Sequence, residues 1–140
     1  MSPAGFEHFA VEAGVGVRAW GPTRGEAFAQ AALGVLALIV APDGVEARET
    51  REVRAQGDAP DTLLVAWVNE CLYVHEIEGF VARWVEVNAC GDRLVHGVLH
   101  GEALDAPRHR PGAAVKAAAL RHVSVGEREG RHEVSVVVDA

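Results

Sequence analysis

The strongest constraint on the fold of this chain is a hydrophobic period that switches twice from two residues to three or four. Residues 14–20 (GVGVRAW) place Val15, Val17 and Ala19 on one face and Gly16, Arg18 and Trp20 on the other, the alternation of a half-buried strand. Gly21-Pro22 ends it. Thr23 and Glu26 then form the two ends of a capping box. Phe28, Ala31, Ala32, Val35, Leu36 and Ile39 follow at helical spacing until Pro42-Asp43-Gly44 turns the chain. Residues 45–56 (VEARETREVRAQ) are charged and loosely alternating, as in an exposed edge strand. After Gly57–Asp61, a turn with an acidic N-cap, the stripe Leu63, Leu64, Trp67, Val68, Cys71, Leu72, His75 marks a second helix ending near Gly79. Trp67 sits mid-stripe and is expected in the core, and His75 is expected to close the helix end.

Four extended segments complete the chain. Residues 80–90 and 93–100 read as a hairpin around Gly91-Asp92, and 113–125 and 131–138 as a hairpin around GEREG. Between the hairpins, 101–112 (GEALDAPRHRPG) carries two Pro, two Gly and no periodicity, the mark of a long surface loop. The order β-α-β-α-β-β-β-β predicts an α+β fold, one domain over 1–140, with two helices covering one side of a largely antiparallel sheet.

Charge and motif content narrow the function. Net charge is −7, from 13 basic and 20 acidic residues, which disfavours direct contact with a nucleic acid and suits a basic protein partner. No apolar run is long enough for a membrane span, and MSPAGFEH lacks the basic-then-apolar order of a secretion signal, so a cytoplasmic protein is expected. Phosphate-binding loops, nucleophile elbows and H-E-x-x-H are absent. Cys71 and Cys90 lack C-x-x-C spacing and read as core thiols. His96 and His100 fall on one strand face about 13 Å apart, too far to share a metal. From composition and spacing alone the chain reads as a soluble α+β domain.

Four ordered stretches carry a resemblance that reaches further. VGVRAWGPTRGEAFAQAALGVLALIV at 15–40, LLVAWVNECLYVHEIEG at 63–79, Val115-Lys116-Ala117 and the ending VVVDA resemble the archease family over nearly the full length. The resemblance implies an accessory protein, with no chemistry of its own, that assists the GTP-dependent RNA ligase of tRNA splicing, promoting guanylylation and multiple turnover. It also implies a divalent cation, calcium, held by Asp139 next to the C-terminus and by two aspartates of a D-H-T-A-D motif ahead of the first strand.

Here that motif reads Ala10-Val11-Glu12-Ala13-Gly14. Both aspartates and the histidine are missing, so the cation site implied is Asp139, Glu12 as a substitute and the terminal carboxyl of Ala140, a set short of the six to eight oxygens calcium takes. Metal binding is expected to be weak or lost. After V-K-A, the family's T-Y-H is replaced by Ala119-Leu120-Arg121. Lys116, the single lysine in a chain with twelve arginines, and His109, in the loop Ala106-Pro107-Arg108-His109, survive. With Glu12 they are the residues expected to face the ligase. A strand lysine in solvent is the plain reading of Lys116. The departures leave a second function open, a diverged archease-fold binding module that has lost metal binding and ligase activation.

Overall fold

The computed structural model describes residues 3–139. Its elements run β1 (Gly5–Val11), β2 (Gly14–Gly21), α1 (Arg24–Ile39), a 3₁₀ turn (Pro42–Gly44), β3 (Glu49–Gln56), α2 (Pro60–Glu78), β4 (Phe80–Cys90), β5 (Leu94–Ala103), β6 (Ala117–Arg128) and β7 (Arg131–Asp139). The α+β class and both helices agree with the sequence reading. The first strand, β1, was not expected, and the one sheet resolves into two, ordered β1-β2-β7-β6 and β3-β5-β4, with every pair antiparallel.

Local chemistry sets the helix ends. The Thr23 hydroxyl accepts from the Glu26 N–H at 3.1 Å, which satisfies one of the donors that a helix start leaves free. At α2 the N-cap is Ala59, not an acidic residue. Pro60 occupies the first turn, where its missing N–H costs nothing, and Thr62 Oγ1 accepts from the Ala59 N–H at 3.0 Å. Asp61 lies inside that first turn, where its charge suits the helix dipole. Gly79 ends α2 in the left-handed conformation (φ 61°), which glycine adopts without the Cβ clash. His75 closes the same end as expected, its Nδ1–H donating to the Phe80 carbonyl at 2.9 Å.

The helices do not cover one side of one sheet. α1 packs on β2 and β7 of the larger sheet and on β4 of the smaller, while α2 packs on β6 and on β3. A helix gripped from several sides needs a wide apolar arc of small residues, and α1 buries Ala27, Phe28, Ala29, Ala31, Ala32, Gly34, Val35 and Leu36. Trp67 is fully buried and its Nε1–H donates to the Phe28 carbonyl at 2.9 Å, joining α2 to α1. Gly97 of β5 lies beneath it, where a Cβ would stand 2.6 Å from the indole and 2.5 Å from the Glu86 carbonyl oxygen.

Cys71 is buried, and desolvation pushes its thiol well above the ordinary range; Cys90 is half-buried and is raised for the same reason. Burial therefore disfavours the thiolate form at both. His96 and His100 each face a carboxylate instead of one another, Glu52 at 3.5 Å and Glu86 at 2.7 Å, and the His100 ring stacks on Trp84 at 3.8 Å. No helix among the described residues is long and apolar enough to cross a membrane.

Candidate functional site at the strand ends

Antiparallel register brings several of the sequence-selected residues to one end of the larger sheet. The β1–β2 turn is Glu12-Ala13, Val15 of β2 pairs with Val138, and Ala117 of β6 pairs with Asp139. Glu12, Lys116 and Asp139 therefore lie at the same end of the sheet, at three separate strand ends. Lys116 is exposed, and its backbone N–H donates to the Asp139 carbonyl at 2.9 Å. It stands on the rim of a groove of about 490 Å³ whose apolar wall includes Ile39, Leu72, Leu104 and Val115.

Asn69 of α2 holds this edge in place, and the sequence reading passed over it. β6 is an outer strand, so one row of its peptide groups has no strand partner. The Asn69 amide supplies one: Oδ1 accepts from the Ala118 N–H at 2.7 Å, and Nδ2 donates to the Ala118 carbonyl at 3.3 Å. That two-point clamp lies two residues from Lys116. The signal available in the sequence was a polar amide set among Trp67, Val68 and Cys71.

His109 is elsewhere. The expectation that its ring faces a partner does not fit its position, because His109 is only 1% exposed. Its Nδ1 accepts from the Asp105 N–H at 2.8 Å and its Nε2–H donates to Glu102 at 3.0 Å, so the ring folds the 104–116 loop onto β5. Glu102, 4% exposed, also accepts from Arg108 at 2.6 Å and from the Glu46 N–H at 2.7 Å. With Arg108 contributing most, these donors hold its carboxyl down to about 2. The arrangement is a loop anchor made of a charged hydrogen-bond network.

The cation implied for Asp139 does not fit the groups present. Arg121 reaches back across the end of the sheet, its Nη2 donating to Asp139 Oδ1 at 2.7 Å and to the Ala13 carbonyl at 3.3 Å. It reaches because β6 bulges between Ala119 and Ser124, with His122 at φ 58°. A doubly charged ion about 4 Å from that guanidinium would meet a repulsion of about 2 kcal/mol even at the dielectric constant of water. Among the described residues no three His, Cys, Asp or Glu side chains gather to hold a metal. Ala140, whose terminal carboxyl was counted as a ligand, lies outside the described residues. Glu12 is exposed and shares a depression of about 270 Å³ with Val11, Ala13, Arg121 and His122.

This fold has counterparts among known proteins. Residues 6–140 match the Archease protein family (MTH1598/TM1083). Protein archease of Pyrococcus abyssi is 32% identical over 140 residues, covering 96% of this chain and 97% of the relative, and that of Methanopyrus kandleri is 33% identical over 125 residues, covering 87% and 89%. The solution structure of Methanobacterium thermoautotrophicum protein 1598 superposes with a TM-score of 0.80 at 28% identity, covering 97% of this chain and 99% of that one. A Thermotoga maritima crystal structure, described as an archease and possible chaperone, shares the fold with a TM-score of 0.60 at 16% identity, covering 96% and 100%. The chain belongs to the archease family.

Proposed function

We propose that this protein is an accessory factor for a GTP-dependent RNA ligase of tRNA splicing, acting in the cytoplasm and doing no chemistry itself. The observation that carries the reading is the family match over residues 6–140 together with the one lysine of the chain standing exposed beside Asp139. In this reading the strand-end edge docks beside the ligase's guanylylation site. Lys116 supplies a compact ammonium there, and the acidic body of the protein (net charge −7) complements the basic surface an RNA-joining enzyme must present. RNA itself binds to the ligase, because a surface of this charge repels phosphates.

The groove beside Lys116 gives the docking edge an apolar component, and the Glu102–His109 anchor fixes the loop next to it. His109 then contributes by position. The reading is tested by following RNA joining by the cognate ligase under limiting enzyme. Repeated turnover only when this protein is present supports it, and turnover unchanged by its addition contradicts it. A second reading, a diverged binding module on the same fold, draws on one specific observation, the occupation of Asp139 by Arg121. Unchanged turnover would favour that alternative.

A further inference from the structure

We infer that Arg121 is the resident cation of the strand-end site, replacing a bound metal with a covalently attached guanidinium. Three features of the site converge on it. Its Nη2 bridges the Asp139 carboxylate (2.7 Å) and the Ala13 carbonyl (3.3 Å), two oxygen ligands from separate strand ends at the same end of the sheet. Gly14 lets the neighbouring strand close beside the site, since a Cβ there would lie 2.5 Å from the Val138 carbonyl oxygen and 3.3 Å from Nη2. The backbone on both sides is held in left-handed turns by non-glycine residues, Ala13 at φ 61° and His122 at φ 58°. One turn presents the carbonyl and the other returns the arginine. A planar guanidinium suits this duty because it donates in two directions at once and stays charged at every physiological pH.

The consequence is a sheet end closed without metal. A divalent ion would have to displace Arg121 from Asp139, so the parent protein is indifferent to ions, while removal of the guanidinium exposes the carboxylate, the Ala13 carbonyl and nearby Glu12 to a weak hard-cation site. This inference concerns the resting molecule and stands apart from the ligase reading.

Thermal melting in a chelator and in about 10 mM calcium, magnesium or manganese tests it, since a weak oxygen site half-saturates near about 1 mM. The parent and Arg121→Lys proteins are expected to melt at the same temperature in every buffer. Arg121→Ala is expected to rise by about 3–5 °C with calcium or manganese, the shift for a ligand at roughly ten times its Kd, and Arg121→Ala/Asp139→Asn to lose that rise. A parent protein that shifts as much as Arg121→Ala would overturn the inference, as would an Arg121→Ala protein that ignores all three ions. Calorimetric titration of the parent with calcium gives an answer that depends on no variant: micromolar binding overturns the inference, and no heat supports it.

Discussion

Glu102 shows how a single residue can tie stability to pH in this protein. Its carboxyl lies at about 2 in the folded chain against an ordinary value of 4.5, chiefly through the Arg108 hydrogen bond and then through the Glu46 N–H. A folded-state value below the unfolded one means that the ionised group favours folding above about 4.5 and that this contribution drains away as pH falls toward about 2. Melting temperature followed across that window is expected to fall more steeply for the parent than for Glu102→Gln; parallel curves would show that the network carries no proton linkage. Trp67 makes the larger stability prediction. Trp67→Ala should cost about 3–5 kcal/mol in denaturant unfolding, and Trp67→Phe less, because it keeps part of the buried aromatic volume while losing one ring and the bond to the Phe28 carbonyl. Trp67 was readable because burial follows period. His109 and Glu102 were not, because a polar pair becomes buried only once a loop folds over it. Segment 101–112, expected as one loop, offers no period from which to foresee that its first three residues continue β5 and bury Glu102.

At the scale of elements, the punctuation of the helices was the most legible part of the chain. Thr23 started α1 where expected, and Thr23→Ala should destabilise by about 1 kcal/mol, checked by chemical denaturation against a solvent-exposed threonine control. β1 escaped because its alternation mixes Phe6, His8 and Ala10 on one face with Glu7, Phe9 and Val11 on the other, so neither face reads as apolar. Its turn also hides, since Ala13 takes the positive φ that a glycine would announce. The division into two sheets depends on which strands pair across the whole chain, information that local pattern does not hold. Asn69 carries the prediction proper to this scale. Asn69→Ala should free the outer edge of β6, seen as faster exchange of the Ala118 amide than in the parent with the α2 amides unchanged. Equal protection of Ala118 in both proteins would mean the strand holds itself.

For the molecule as a whole, the proposed function rests on what the sheet end presents. Three strand ends lie side by side along it, and two of the sequence-selected groups differ in fate: Asp139 is engaged by Arg121, and Lys116 keeps an exposed side chain. The eroded N-terminal motif was visible in the sequence, but its replacement by an arginine from across the sheet was not, because Arg121 reaches the site only through the β6 bulge. The most direct measurement is multiple-turnover RNA joining by the cognate ligase with parent and Lys116→Arg proteins, both verified to melt alike. The account predicts that the parent stimulates turnover and that Lys116→Arg, with charge retained but a planar fork in place of a compact ammonium, loses most of that stimulation. Full stimulation by Lys116→Arg would contradict the assignment of the strand-end lysine as the contact with the ligase.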